Sequence, residues 1–279
     1  MKAYRICFGF VSFCAGGAYA SAITVNLGTA DPFAVLGGST VTNTGPTVID
    51  GNLGVSPGTA ITGFPPGIVN GTIDDADAVA MQAKTDLTSA YNFAAGEACG
   101  DNLTGQDLGG LTLTPGVYCF SSSAQLTGTL KLDAQGNSNA VFIFQIGSTL
   151  TTASGSSVDF LNGGQGGDLF WQVGSSATLG TTTAFEGSIL ALASITLNTG
   201  ATIDCGRALA RNGAVTMDTN DVSIAAVGGC QAMGGSTVPE PGTAGLLGTG
   251  VLIGLIGYIL SHRSKAQVDH STMLRGIRT

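Results

Sequence analysis

Asp204, Arg207 and Arg211 fall within eight residues, and they are the part of the chain that most looks like a reaction centre. A carboxylate beside basic groups in a cleft is what cleavage of a sugar chain uses. In an acidic chain the plainer use of the two arginines is to pair with carboxylates of neighbouring turns of the fold, and that is the expectation. A second chemical signal is "GGQGGDLFW" (Gly163–Trp171), which fits the calcium-binding nonapeptide G-G-x-G-x-D-x-U-x with Asp168 and Phe170 in place. Such sites are built between adjacent copies, and there is one copy, so a turn entering the strand "DLFWQV" is expected, with no metal and no cofactor. Both histidines, His262 and His270, lie near the C-terminal end. Residues 23–237 therefore hold no histidine, which excludes Ser-His-Asp and Cys-His catalysis and His-ligated zinc there. The reading is of a protein that is not an enzyme.

The elements that position these residues must be found between two special ends. Lys2 and Arg5, the apolar run Ile6–Ala15 and the small residues "GGAYASA" form the layout of a secretory signal peptide, with cleavage after Ala20 or Ala22. Phe13 is too bulky for a lipoprotein signal at Cys14. Toward the other end, Ala244–Leu260 is an uncharged, mostly apolar stretch of seventeen residues, about 25 Å as a helix. That lies at the lower edge of a membrane span. Arg263 and Lys265 follow it, which by the positive-inside rule keeps them cytoplasmic and the main domain outside. The expected organisation is a signal peptide at 1–22, a domain at 23–235, and a tail at 236–279 with a transmembrane helix at 244–260.

Between Ile23 and Thr237, four cations (Lys84, Lys131, Arg207 and Arg211) face sixteen carboxylates. Phosphate backbones require a clustered basic surface, so nucleic acid is not a partner. Cys7 and Cys14 leave with the signal peptide. Cys99, Cys119, Cys205 and Cys230 remain in an oxidising compartment, where two disulfides are expected. Three connectivities are possible, and proximity favours Cys99–Cys119 with Cys205–Cys230.

One segment, Asp74–Ala98, is rich in alanine and nearly free of glycine. Val79, Ala83, Leu87, Ala90, Tyr91 and Ala94 recur at helical steps, and Asp74, Asp75 and Asp77 stand where a helix N-terminus favours negative charge. An amphipathic helix over about 74–98 is predicted. The remainder is short β-rich runs between turn residues: "TVTNT", "LTLTPGVYCF", "AVFIFQI", "DLFWQV", "SITLNT" and "AVTMDT". "FQIGS" (Phe144–Ser148) returns as "WQVGS" (Trp171–Ser175), and Thr-Leu-x-Thr begins at Thr149, Thr178 and Thr196. The eighteen residues from Thr178 to Thr196 suit one coil of three short strands, although other spacings differ. A β-sandwich is the alternative on pattern alone.

Two resemblances follow from these segments. Val238-Pro239-Glu240-Pro241, the apolar stretch and the basic pair together resemble the PEP-CTERM sorting signal. That resemblance implies an exosortase-type processing enzyme as partner, the membrane as a transient or permanent anchorage, and a final place at the cell envelope, at the cell surface or outside the cell. The blocks "FAVLGGSTVTNTGPTVIDGNLGVSPGTAITGFPPG", "GGLTLTPGVYCF", "NAVFIFQIGSTLTT", "GGDLFWQVGSSATLGTTTAFEGSILALASITLNTGATI" and "GRALARNGAVTMDTN" are similar to the DUF3494, or type 1 ice-binding-protein-like, domain. The similarity runs from about Phe33 to Val222. It implies a mostly β fold, an irregular, discontinuous right-handed β-solenoid of triangular section with one long α-helix packed alongside, in which the first coils lie beside the last.

The same resemblance implies adsorption to an ice crystal surface through a flat, threonine-rich face. Stacked strands repeat at about 4.7–4.9 Å, close to a repeat of hexagonal ice. Threonine suits such a face because its hydroxyl anchors water while its methyl and stiff χ1 keep the array ordered. The family motif Thr-Ala/Gly-x-Thr/Asn occurs at Thr44-Gly45-Pro46-Thr47, Thr59-Ala60-Ile61-Thr62 and Thr199-Gly200-Ala201-Thr202. Thr44, Thr47, Thr59, Thr62, Thr199 and Thr202 are accordingly the candidate site. Thr149, Thr152, Thr178, Thr181, Thr196 and Thr199 form a second candidate ladder. The expected role is to inhibit ice growth or recrystallisation or to tether the cell to ice. The alternative is a structural or adhesion protein of the cell surface or matrix that contacts extracellular polymer.

Overall fold

The computed structural model describes residues 25–225, Gln165 excepted. The expected signal peptide, Cys230, the Pro239-Glu240-Pro241 motif and the apolar stretch 244–260 lie outside the described residues. Among those that are described, no helix is long and apolar enough to cross a membrane.

Short runs of β-branched residues broken by glycine and serine fold as short strands, and every strand pairing is parallel, in one sheet of fifteen strands and one of seven. The chain comes back repeatedly to lay a new strand beside an earlier one. Gly116–Phe120 pairs with Phe142–Ile146, which pairs with Leu169–Val173, followed by the latter parts of Ala184–Ala191 and Thr202–Ala210. The next neighbour is Phe33–Gly37, from the start of the chain, then Asn52–Val55 and Ile73–Asp75. The first coils therefore stack on the last ones.

This order forces a long return. After Ile73–Asp75 the chain must reach the opposite end of the stack, where Asp101–Asn102 pairs with Gly116–Phe120. Helix α1 (Ala78–Gly96) makes that crossing, its 19 residues rising about 28 Å. Asp77 caps it, its side chain accepting from the Ala80 amide at 2.8 Å. The helix starts later than the composition predicts, because Asp74 and Asp75 belong to the strand Ile73–Asp75 rather than to the first helical turn. Its buried stripe is Ala80, Ala83, Leu87, Ala90, Tyr91 and Ala94. Val79, expected in that stripe, is 51% exposed, and Ala80 takes its place.

The strands under α1 are buried on both faces, with Phe33–Gly37 and Leu169–Val173 buried throughout. One face meets the interior and the other meets the helix, so these runs lack polar alternation. Val117, Ile143, Phe170, Leu190, Leu209 and Leu36 face α1. Inside the stack, aromatic side chains make a column: the register partners Tyr118 and Phe144 have centroids 5.3 Å apart and Phe144 and Trp171 4.1 Å, and Phe185, four residues before Trp171's partner Ile189, closes on Trp171 at 4.9 Å. The "FQIGS"/"WQVGS" echo is this register, with Phe144 opposite Trp171 and Gln145 opposite Gln172. Two long strands turn a corner at glycine: a Cβ on Gly206 would stand 2.0 Å from the Gly187 carbonyl oxygen, so no side chain fits there.

Cys99 and Cys119 form a disulfide that ties the chain just beyond α1 to the strand Gly116–Phe120. Cys205 is also disulfide-bonded.

Candidate functional site

The seven-stranded sheet has α1 on neither side and alternates cleanly between buried and outward positions. Its strands are Ala124–Leu126, Leu150–Thr152, Ala177–Leu179, Ile195–Leu197, Val215–Asp218, Thr40–Thr44 and Ala60–Thr62, in that spatial order. Leu126, Leu150, Leu179, Leu197, Met217 and Val41 point inward and are buried. With one face fixed by these side chains, the period of two sends the residues between them outward.

Those outward residues are in register across the whole sheet. Gln125 pairs with Thr151, Thr151 with Thr178, Thr178 with Thr196, Thr196 with Thr216, Thr216 with Thr42, and Thr42 with Thr62. Six consecutive threonines thus stand one strand apart, a row about 24 Å long at the usual spacing. The join between late and early chain falls inside the row, where the Thr42 hydroxyl donates to Thr216 Oγ1 at 3.4 Å. Two positions earlier on each strand come Ser123, Thr149, Ser176, Ser194, Ala214, Thr40 and Ala60. The Thr149 hydroxyl donates to Ser123 Oγ at 2.8 Å. Neither rank contains a charge. Asp218, two positions beyond Thr216, stands at the margin and accepts from the Thr199 hydroxyl at 2.5 Å.

The motif threonines are distributed over several environments. Thr62 belongs to the row, and Thr44 is exposed at the margin of the same sheet. Thr59 is exposed just before the strand Ala60–Thr62, and Thr199 is exposed in the turn after Ile195–Leu197. Thr47 is fully buried; its hydroxyl donates to Asn43 Oδ1 at 2.5 Å and accepts from the Asn220 amide at 3.0 Å. Thr202 begins a strand of the other sheet, beside Ala184 and Asp221. At Thr44–Thr47 and Thr199–Thr202 the step of three residues crosses a coil corner and takes the second threonine off the face, whereas Thr59 and Thr62 both stay by the seven-stranded sheet. Of the second ladder, Thr178 and Thr196 are in the row and Thr149 is beside it. Thr152 faces inward, its hydroxyl 2.8 Å from that of Thr183, while Thr181 is exposed in a turn.

The row members not anticipated are Thr42, Thr151, Thr216 and Gln125. Their signal is alternation within each strand, apolar-polar-apolar in "VTM" and "AQL", and it is weaker in "VTN" and "LTT", where the second inward position is the polar Asn43 or Thr152.

A third surface is carboxylate-bearing. Lys131 pairs with Asp159, Glu186 with Asp204, and Ser223 with Asp50 on successive strands. Burial, and then the neighbouring Asp204 and Asp159 carboxylates, push the Glu186 carboxyl up to about 7. Asp204 is raised by burial, and Asp221 by burial and by Asp50 and Asp204. Such a surface holds its water around charges and cannot present an uncharged ordered layer.

The residues that looked reactive have structural partners. Arg207 is 8% exposed; its Nη2 donates to Asp31 Oδ1 at 2.8 Å and its Nε to the Asp31 carbonyl oxygen at 2.7 Å. Arg211 departs from expectation. Among the described residues it pairs with no carboxylate, and its guanidinium lies over the Tyr91 ring, 4.5 Å from the centroid. The reason is position: Arg211 follows the strand Thr202–Ala210 under α1, where the helix presents an aromatic face. The nonapeptide segment forms a 3-10 turn at Gly166–Asp168 that leads into the strand Leu169–Val173, as its single copy implies.

A parallel, helix-flanked coil stack with one uncharged threonine face defines a class, and comparison gives the family. The chain belongs to the Ice-binding-like family, whose model matches residues 35–223. It is 58% identical over 253 residues to an ice-binding protein of Nostoc sp. (strain HG1), covering 90% of this chain and 93% of that one. It is 36% identical over 215 residues to an ice-binding protein of Flavobacterium frigoris (strain PS1), covering 72% and 76%. Among solved structures, an ice-binding protein from an Antarctic biological consortium superposes with a TM-score of 0.70 at 53% identity, over 73% of this chain and 91% of that one. The protein from Antarctomyces psychrotrophicus gives 0.69 at 41%, over 71% and 97%.

Proposed function

We propose that this protein adsorbs to ice through its seven-stranded sheet, and that the contact is centred on the row Thr151, Thr178, Thr196, Thr216, Thr42 and Thr62. The observation that carries the reading is this register of six threonines in a surface rank without charge. Parallel stacking repeats the hydroxyls at about 4.8 Å. Each hydroxyl can hold a water, and each methyl leaves that water no competing partner, so a layer forms with the periodicity of the protein. Such a layer merges with the lattice when the spacing matches. The inward leucines and isoleucines keep the face flat by filling the interior behind it. We read the stack as a discontinuous right-handed β-solenoid of triangular section, whose other two sides carry α1 and the carboxylates. Thr44 and Thr59 extend the contact at its margin, as does Thr199.

The relatives support this reading, as both are named ice-binding proteins. Export by the N-terminal signal, processing by an exosortase-type enzyme and membrane attachment through residues 244–260 complete the proposal, which places the ice face outside the cell. There it slows recrystallisation or holds the cell to ice.

The test is inhibition of ice recrystallisation by the protein with Thr178→Tyr and Thr196→Tyr together. Two bulky rings in mid-row should reduce potency at least tenfold with the circular dichroism spectrum unchanged. Full potency in the folded variant would move the ice face to another surface. Absence of activity in the parent protein would leave a surface scaffold.

A further inference from the structure

Of the four cations between residues 23 and 237, two line a single cleft. The cleft has a volume of about 460 Å3 and lies where α1 passes the coil corners at Ser56–Pro57 and Arg211, outside the threonine sheet. Lys84, in the second turn of α1, donates from Nζ to the Ala210 carbonyl oxygen. The next residue, Arg211, is held over Tyr91 by its flat face, and its Nε is buried without a hydrogen-bond partner. Neither cation meets a carboxylate: the one ion pair among the described residues joins Arg207 to Asp31. Burial, and then the Arg211 charge, bring Lys84 down to about 7. Two adjacent cations without a counter-charge are unusual in a chain of net charge −8. The Tyr91 ring and the Ala210 carbonyl oxygen offset part of this charge, and an anion would offset the rest.

The other walls narrow the kind of anion. Thr85, Thr88 and Ser89 line the cleft and donate their hydroxyl hydrogens to the helix carbonyls of Met81, Lys84 and Thr85, at 3.1, 3.0 and 3.2 Å. Their oxygens are left as acceptors. Pro57 and Met81, the latter 58% exposed, add an apolar wall. A bare inorganic anion has no use for acceptors or for an apolar wall. A sugar carboxylate uses all three features: its charge meets the cations, its hydroxyls donate to the threonine and serine oxygens, and its C–H face packs on Met81 and Pro57.

We propose that this cleft binds an acidic sugar, a hexuronate, with its carboxylate between Lys84 and Arg211. The site is separate from the threonine sheet and does not depend on the ice reading.

The full chain in mild detergent is titrated calorimetrically with glucuronate, glucose, sodium sulfate and a short oligouronate at constant ionic strength. Saturable binding of glucuronate, none of glucose, and at least a tenfold loss in Lys84→Met and Arg211→Met are expected. Thr88→Val, which removes one acceptor and no charge, should weaken glucuronate several-fold and leave any response to sulfate unchanged. It covers the case in which a charge variant fails to fold. Tighter binding of the oligouronate would assign the sugar to a polymer, and equal affinity per unit to a free sugar; either supports the site. No saturable glucuronate binding, binding unaltered in every folded variant, or saturable binding of sulfate alone would overturn it. Thr178→Tyr with Thr196→Tyr should bind glucuronate as the parent does, which separates this test from that of the ice face.

Discussion

Thr178 and Thr196 stand opposite each other on adjacent parallel strands, one coil apart, and both point away from the core. Ala177 and Leu179 on one strand, and Ile195 and Leu197 on the other, fix that orientation from behind. The pair is the unit from which the threonine row is built. Each hydroxyl is therefore free to serve water instead of the fold. Thr196→Val, which keeps the shape and removes the hydroxyl, should alter stability by less than about 0.5 kcal/mol. It should lower recrystallisation inhibition several-fold. Urea denaturation followed by Trp171, the chain's single tryptophan, reads the first quantity.

Thr47 behaves oppositely. Its hydroxyl is buried between Asn43 and the Asn220 amide, so Thr47→Val leaves two polar groups without a partner. A loss of about 2 kcal/mol is expected. An unchanged urea midpoint would show that these bonds contribute nothing.

The carboxylate surface makes stability depend on pH. Glu186 has a folded-state value of about 7, above its ordinary 4.5, and Asp168 is raised by burial to about 6. The folded state therefore holds protons that the unfolded chain has already released. The stability these groups give is fully present below their unfolded values and is lost as pH rises through the folded ones. The melting temperature should fall from about pH 4, just above the ordinary 3.8 of Asp168, to about pH 7, and Glu186→Gln should flatten the upper part of that fall and melt higher at pH 8. A variant with the parent's pH profile would rule out Glu186 as the source.

Arg207 tests the other ionic element. Replacing it with alanine removes a buried cation together with its bonds to Asp31 and Ser188, and should cost about 3 kcal/mol. Asp31 is half exposed and its carbonyl oxygen still serves Arg207, so Asp31→Asn should cost only about 1 kcal/mol. Equal losses in the two variants would contradict this division.

The Cys99–Cys119 bond closes a loop with a sequence separation of 20. Cys99→Ser with Cys119→Ser should lower stability by about 3 kcal/mol, as the unfolded chain regains that freedom. The comparison is a urea midpoint under oxidising conditions, and an unchanged midpoint would show that the bond adds no stability.

Much of this fold is written locally. The helical steps from Ala83 to Ala94 mark the stripe that packs on the strands, and the echo of Phe144 in Trp171 marks a true coil-to-coil pair. The face was harder to read, because side chains alternate every residue and a shift of one moves a threonine from surface to core. Thr151, not Thr152, meets Thr178, and what decides this is the turn length between the strands, which varies from coil to coil. Thr42 and Thr216 are 174 residues apart, and no local pattern joins them. Only the stacking of the first coils on the last does, and in the sequence that order was visible through family resemblance alone. Cation pairing was misjudged at Arg211 for a similar reason, since its aromatic partner comes from the helix.

The most direct measurement is adsorption of fluorescently labelled protein to a growing single-crystal ice hemisphere. Three proteins are compared: the parent, Thr178→Tyr with Thr196→Tyr, and Ser157→Tyr on the carboxylate-bearing surface. The account predicts that the parent and Ser157→Tyr mark the same ice planes and that the double variant is excluded from the ice. Equal marking by the double variant, or loss confined to Ser157→Tyr, would contradict it.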